Sequence, residues 1–167
     1  MNSVAATTIE QDHRVEDLGA MTASSADQTW SQYVTFMVGD RSYGIEITKV
    51  REIKGWSKPT ELPKASPAMR GVLNLRGVVV PIFDLCCHFG QGRTEPREEH
   101  VVIIVALANR LIGILVDAVS DILTLDPGDI LPVPEMHTGT DQRFLSGLVS
   151  QDDQMVALLK LDELFDL

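Results

Sequence analysis

A chain of 167 residues with 44% hydrophobic and 23% charged residues has the size and composition of one globular domain, or of two small lobes that share a core. Its formal net charge of −10, from 24 acidic and 14 basic residues, argues against a nucleic-acid binder, which needs a basic face, and against docking on anionic lipid. Proteins and neutral ligands remain as classes of partner.

Targeting segments and disulfides are not expected. No stretch approaches the roughly 20 apolar residues that span a bilayer, and the first residues, MNSVAATTIEQDHRVED, lack a basic segment followed by an apolar one. The two cysteines, Cys86 and Cys87, are adjacent, whereas disulfide geometry favours Cα atoms that lie farther apart. We therefore predict a cytoplasmic protein with reduced thiols and no direct membrane insertion.

The first 32 residues differ in character from the rest. They are rich in Ala, Ser, Thr and Gln, show no sustained apolar period, and contain five acidic residues against one arginine, a net charge of −4. Such a composition cannot bury much apolar surface. We predict a disordered or loosely helical acidic leader over residues 1–32.

From Tyr33 onward, short β-branched and apolar runs recur between turn signals. This spacing is typical of an all-β sandwich or barrel and leaves no room for the crossover helices of a parallel sheet. Short helices are predicted at SPAMRG, where Ser66 would cap and Pro67 would take the first helical position, and at the C-terminus after Asp162. The predicted strands are YVTFMV, SYGIEI, GVLNL, VVVPIF, HVVIIVAL, LIGILV, FLSGLV and MVALLKL.

The chain contains an internal repeat. Residues 34–53 align with residues 103–122, and each copy reads as a strand, a tight turn, a second strand and a short amphipathic connector. A glycine-led pair of strands follows each copy: GVLNLRGVVVPIFDL first, and GLVSQDDQMVALLKLDEL second. Identical residues occur at Arg41 and Arg110, Gly44 and Gly113, Ile45 and Ile114, Val50 and Val119, and Ile53 and Ile122.

Recurrence of one unit indicates that both halves adopt the same small β fold. Five short strands suit a closed barrel, which has no unpaired edges, and two small barrels gain core by packing together. We predict two SH3-like five-stranded barrel subdomains on a shared core within residues 33–167. The repeats span about 33–89 and 100–167, strands can be exchanged between them, and the polar residues 90–99 join them. The cleft between paired barrels is a natural site for a partner.

Enzyme-like motifs are weak. Cys87 and His88 could serve a thiol-dependent enzyme, but the sequence offers no clear third group to orient the histidine. CCH also lacks the spaced cysteine pairs of a zinc site, and no glycine-rich phosphate loop is present. We therefore predict no catalytic residue, no metal and no cofactor, and keep the thiol enzyme as the alternative from a different class.

Arg76 is the least ordinary residue of GVLNLRGVVVPIFDL. If the two apolar runs pair as a hairpin, Arg76 and Gly77 form its turn, and a solvated arginine at a hairpin tip is one reading. Arg-Gly is nevertheless a poor choice for such a turn beside Asn-Gly, and an arginine fork suits a carboxylate partner. Glu52, in VREIKGW, is the nearest suggestive acid. The second repeat has SQDDQ at this turn, so the fold itself does not require an arginine there.

The segments VREIKGW, GVLNLRGVVVPIFDL and GILVDAVSDIL resemble the CheW-like domains, a family of chemotaxis coupling proteins. The resemblance runs from about Tyr33 to Leu164, and the string G-x-x-NLRG-x-x-x-PI-x-DL is specific. It implies a pair of SH3-like barrels and a free-standing, non-enzymatic cytoplasmic adaptor. Such an adaptor bridges the cytoplasmic tips of methyl-accepting chemotaxis receptors to the regulatory domain of the histidine kinase CheA, and other CheW copies are further candidate partners.

The resemblance also implies which residues bind partners. A receptor helix would lie in the groove between the barrels, and a homologous barrel of CheA would dock end to end. A coupling protein of a chemotaxis-like array with another output, such as pili or a second messenger, would use the same surfaces and stays an alternative. The implied partner-binding residues are Val50, Glu52, Gly71, Asn74, Leu75, Arg76 and Gly77 in the first repeat, and Gly113, Asp117, Val119 and Asp121 in the second.

Overall fold

The computed structural model describes residues 30–134 and 142–165. The predicted leader, apart from its last residues, therefore lies outside the described residues. The described chain is predominantly β and contains two short α-helices. The elements are β1 (Ser31–Val38), β2 (Arg41–Glu46), β3 (Val50–Gly55), β4 (Met69–Leu75), β5 (Val78–Asp84), α1 (Leu85–His88), β6 (Val101–Leu107), β7 (Arg110–Val116), β8 (Ala118–Leu125), β9 (Leu145–Gln151), β10 (Gln154–Leu159) and α2 (Leu161–Leu164).

These strands form two five-stranded sheets, which confirms the predicted all-β class. Barrel 1 has the strand order β8-β1-β2-β10-β9, and barrel 2 has the order β3-β6-β7-β5-β4. Each barrel takes one hairpin from one half of the chain and three strands from the other half. Isolated bridges join Thr60 to Val72 in barrel 2 and Leu131 to Leu148 in barrel 1. Both sheets are of the SH3-like type.

The two barrels repeat each other at their parallel strand pairs. The one parallel pairing in barrel 1 places Gly44 beside Leu158, and the one in barrel 2 places Gly113 beside Ile82. A Cβ atom on Gly44 would lie 2.9 Å from a Leu158 methyl, and one on Gly113 would collide with the Ile82 side chain. The glycines matched in the sequence repeat therefore leave room for the same neighbouring side chain.

The core consists of three clusters of buried apolar side chains. One cluster, with Leu125, Val149, Val156 and Leu158, belongs to barrel 1. A second, which includes Val80, Ile82 and Ile104, belongs to barrel 2. The largest draws on both barrels and on α1 and α2, so the barrels share a common core.

Three local predictions need correction. The amphipathic connectors are strands β3 and β8, which pair with β6 and β1; exposure alternates along β3, whereas five of the eight residues of β8 are exposed. The helix predicted at SPAMRG is wrong. The segment forms a single turn, in which the Met69 amide donates to the Ser66 carbonyl at 3.0 Å, and it cannot continue as a helix because β4 begins at Met69. The C-terminal helix starts at Leu161, one residue before the predicted cap, and Lys160 precedes it without a side-chain cap.

Candidate protein-interaction site

The turn between β4 and β5 is a two-residue hairpin formed by Arg76 and Gly77. Their φ angles are 51° and 88°, so both residues adopt the positive φ that a primed hairpin turn requires. The Asn74 side-chain carbonyl accepts a hydrogen bond from the Gly77 amide at 2.8 Å. Asn74 and Gly77 thus hold the turn, and the Arg76 side chain is left to project from it.

Arg76 forms an ion pair with Glu52 of β3. Its Nη2 lies 2.7 Å from Glu52 Oε1, and the two side chains are 77% and 31% exposed. The hydrogen bond from Arg76 lowers the pKa of Glu52 below its ordinary value. Because the folded-state pKa is lowered, the pair contributes to stability at neutral pH and is lost as the pH falls through that pKa. The pairing suggested by the sequence is therefore present, and it links β3 to the hairpin that ends β4.

Barrel 1 carries different charges at the equivalent place. The turn between β9 and β10 is formed by Asp152 and Asp153, with φ angles of 50° and 68°. The residue that the repeat aligns with Glu52 is Asp121, which is exposed. The same backbone turn therefore forms without an arginine. Barrel 1 has acidic residues at both of the positions that Glu52 and Arg76 occupy in barrel 2.

Several predicted site residues are structural. Leu75 belongs to the barrel 2 core, Val50 packs against the shared core, and Gly113 is buried beside Ile82. Gly71 is buried with a φ of 135°, and a Cβ atom there would lie 2.7 Å from the Thr60 carbonyl carbon.

The second predicted set lies around β8. Asp117 Oδ2 accepts a hydrogen bond from the Gly39 amide at 2.9 Å, and Val119 packs against the shared core. Asp121 is exposed, and its backbone carbonyl accepts a hydrogen bond from Thr35. Among the described residues, no hydrogen bond or ion pair joins this set to Glu52, Asn74, Arg76 and Gly77. Gly113 nevertheless lies in one row of barrel 2 with Glu52 and Gly71, because Ile104 pairs with both Glu52 and Gly113, and Ile82 pairs with both Gly71 and Gly113.

Exposed apolar side chains accompany the ion pair. Val78 and Val79 follow the turn directly and are 47% and 63% exposed. We call Glu52, Arg76, Val78 and Val79 the Arg76 surface. Apolar residues beside a charged centre are typical of protein-binding surfaces. Sequence reasoning missed the two apolar members, because a run of valines does not show which of its members face outward.

Asp84, the acid of the PIFDL segment, was also missed. Its side chain is fully buried and accepts hydrogen bonds from the Thr94 amide at 2.7 Å and the Thr94 hydroxyl at 2.8 Å. The Cys87 amide and Arg70 Nη1 contribute longer contacts, both at 3.4 Å. Asp84 therefore ties the start of α1 to the loop of residues 90–99 and to β4.

The Cys-Cys-His segment forms α1. His88 Nε2 lies 2.8 Å from the Leu164 carbonyl oxygen, so this ring nitrogen donates to the C-terminal helix. Burial raises the pKa of the Cys86 thiol, and the nearby charges of Asp84 and Asp117 raise it further. In the described parts of the chain, no group of His, Cys, Asp and Glu side chains is arranged to hold a metal ion.

We expect slow alkylation of Cys86 by iodoacetamide at pH 7.5 in the native protein, at least severalfold slower than in the protein unfolded in guanidinium. The reason is that the thiolate is the reactive form, and a raised pKa makes it scarce. The rate of each cysteine is assigned with Cys86→Ser and Cys87→Ser variants and mass spectrometry. Native Cys86 that reacts as fast as the unfolded thiol would contradict this expectation.

Within the residues that the structure describes, no helix is long and apolar enough to cross a membrane.

Comparison with known proteins gives consistent matches. The family model for the CheW-like domain matches residues 32–167. A "Probable chemotaxis protein CheW" of Rhizobium etli is 38% identical over 141 residues, which cover 84% of this chain and 91% of that protein. The crystal structure of the scaffolding protein TtCheW from Thermoanaerobacter tengcongensis superposes with a TM-score of 0.75 at 31% identity, covering 82% of this chain and 88% of that one. "Protein PilI" of Pseudomonas aeruginosa is 31% identical over 111 residues, 66% of this chain and 62% of that protein.

Proposed function

This chain belongs to the CheW-like domain family of chemotaxis coupling proteins, and we propose that it is a non-enzymatic adaptor linking chemoreceptors to the histidine kinase CheA. In this proposal it acts in the cytoplasm and reaches the membrane-bound receptor array through protein contacts, with other copies of the chain as further neighbours. The named relatives and the similarity to a solved scaffolding protein support this role.

The observation that carries the proposal is the Glu52–Arg76 pair. Barrel 1 builds the equivalent turn from Asp152 and Asp153, so the arginine is not needed to form this hairpin. Arg76 is mostly exposed, is oriented by a 2.7 Å hydrogen bond, and has exposed valines beside it. An oriented arginine within an apolar surface is a common centre of protein recognition, because it combines directional donors with buried area.

We expect the substitution Arg76→Glu to weaken binding to CheA or to receptor tips about tenfold, since it reverses a charge and removes the donors of the fork. Binding is measured by co-sedimentation with receptor-containing membranes and CheA, with kinase activity as a second readout. Arg110→Glu is the matched control, because Arg110 is an exposed arginine that follows a two-residue turn in the same barrel. Wild-type binding by a folded Arg76→Glu protein would refute the role of Arg76.

A charge-swapped variant separates two ways in which Arg76 can act. Glu52→Arg combined with Arg76→Glu keeps an ion pair at the turn and reverses its polarity. If the pair mainly positions the turn, the double variant recovers part of the binding lost by Arg76→Glu. If the partner contacts the arginine directly, the double variant binds no better than Arg76→Glu alone. Circular dichroism of all variants confirms that the β-rich fold is kept.

A second candidate function is supported by the match to PilI. The same surfaces would serve a chemotaxis-like array that controls pili or a second messenger. Deletion of the gene distinguishes the two: loss of swimming chemotaxis on soft agar supports the first, whereas intact chemotaxis with altered surface motility supports the second.

A further inference from the structure

A second charged surface lies at the opposite end of β4 from Arg76. Two adjoining clefts, of about 210 and 170 Å³, share Glu61 and Arg70 as lining residues. They lie between the loop of residues 56–68 and the loop of residues 90–99. Arg70 and Arg76 are six strand residues apart, which corresponds to about 20 Å at the usual rise per residue. The clefts are therefore separate from the Arg76 surface.

Arg70 is held from behind by Asp84. Its side chain is only 14% exposed, and Nη1 lies 3.4 Å from Asp84 Oδ2. Asp84 already accepts two shorter hydrogen bonds from Thr94, so its carboxylate is shared rather than devoted to Arg70. A guanidinium carries five N–H donors, and this contact uses one of them. Arg70 is thus a fixed cation at the cleft, with donor capacity beyond its contact with Asp84.

The charge around the clefts is positive in an otherwise acidic protein. Lys58 lines one cleft and Arg93 lines the other, and Glu61 is the one acidic residue that lines either of them. The three cations Lys58, Arg70 and Arg93 outnumber Glu61 and the buried Asp84 carboxylate behind Arg70, which leaves a local charge of +1, whereas the whole chain carries −10. Neither Lys58 nor Arg93 takes part in an ion pair within the described residues. The surface is therefore suited to an anionic ligand.

Both clefts combine apolar and polar walls. Trp56, Pro59 and Pro96 line the first cleft, and Leu62, Pro67 and Met69 line the second. A small inorganic anion such as phosphate would contact the cations but not the tryptophan and the prolines. A peptide that combines acidic and apolar side chains would use both features, with its carboxylates on the cations and an apolar side chain against Trp56.

We propose that these adjoining clefts bind an acidic peptide segment of another protein, with Arg70 as the fixed anchor and Lys58 and Arg93 as flanking cations. This docking site is additional to the Arg76 surface and does not depend on the receptor–kinase role proposed above. It gives the adaptor a means of holding a further protein while the Arg76 surface is occupied.

The test uses the full chain with Trp30→Phe, so that Trp56 is its only tryptophan and reports on the cleft. The probe is the blocked hexapeptide Glu-Glu-Leu-Glu-Glu-Leu, titrated at low and at physiological salt while Trp56 fluorescence is followed. We expect a saturable change that weakens with salt. Lys58→Glu combined with Arg93→Glu is expected to weaken binding at least about tenfold, since two flanking charges are reversed. Lys64→Glu is the matched control, because Lys64 lies in the same loop without lining either cleft, and it should bind the probe as the parent does.

Four results would overturn the proposal: no saturable change with the acidic peptide, equal binding of the Gln-Gln-Leu-Gln-Gln-Leu analogue, unaltered binding by the Lys58→Glu, Arg93→Glu variant, or inorganic phosphate that displaces the peptide at equal concentration. The last would identify a simple anion site. Arg76→Glu should leave peptide binding unchanged, and a loss of binding in that variant would contradict two independent surfaces.

Discussion

Replacing Asp84 with alanine is expected to lower the free energy of unfolding by about 3–5 kcal/mol, the usual cost of removing one partner of a buried ionic network. The carboxylate is fully buried and collects the Thr94 amide and hydroxyl, the Cys87 amide and Arg70. Without it, the Thr94 donors lose their acceptor and Arg70 becomes a largely buried cation without its partner. Urea unfolding followed by circular dichroism measures the loss.

Two variants sharpen this result. Asp84→Asn keeps a side-chain oxygen as acceptor and removes the charge, so its stability should fall between those of the wild type and Asp84→Ala. Asp162→Ala is the matched control: Asp162 pairs with Lys49 at 3.7 Å, but its side chain is 59% exposed, and such a surface pair contributes at most about 1 kcal/mol. A cost for Asp84→Ala no larger than that of Asp162→Ala would refute a stabilising role for the buried network.

The second large effect is expected at Gly71, where alanine should cost about 2–5 kcal/mol. Two terms add: a φ of 135° is one that residues with a Cβ rarely adopt, and the new Cβ would meet the backbone of Thr60, which cannot rotate away. The bridge between Thr60 and Val72, which joins the loop before β4 to barrel 2, would have to open or shift. Urea unfolding again measures the cost.

Two other glycines of barrel 2 separate these terms. Gly77 has a φ of 88° with no neighbouring atom near its Cβ position, so Gly77→Ala tests backbone strain alone and should cost about 1 kcal/mol. Gly55 has neither a positive φ nor a close neighbour, and Gly55→Ala should be nearly neutral. If Gly71→Ala costs no more than Gly77→Ala, the contact with Thr60 does not restrict this position.

The sequence predicts the fold class because its signals are local. Short apolar runs and turn residues are visible within a few residues, and each copy of the repeat with its matched glycine spans twenty residues. The two connectors were harder to assign, because VREIKG has as many exposed as half-buried positions and AVSDILTL is mostly exposed. Each is also an edge strand with one neighbour. At SPAMRG a capping serine and a proline favour a helix, but pairing of Met69 with Phe83 in the β4–β5 hairpin overrides that local preference.

At the site, the sequence predicts the pairing of Glu52 with Arg76 and not the setting around it. An arginine at a hairpin tip is conspicuous in an apolar segment, and Glu52 stands in the connector after the first hairpin as the suggested acidic partner. Asp84 gives no comparable signal, since its partners Thr94 and Arg70 become its neighbours only when the loop of residues 90–99 folds over β4. Exposure of Val79 and the cleft beside Trp56 likewise depend on how the loops pack, which no local pattern contains.

The exchange of strands between the two halves of the chain determines what proteolysis of this molecule can release. Barrel 1 contains β1 and β2 from the first half with β8, β9 and β10 from the second, and barrel 2 contains β6 and β7 with β3, β4 and β5. This is the topology of a domain-swapped homodimer of one five-stranded unit, fused into a single polypeptide. A protease that nicks the loop of residues 90–99 would not release two barrels. Each fragment would hold strands of both, and neither barrel could be completed without the other fragment.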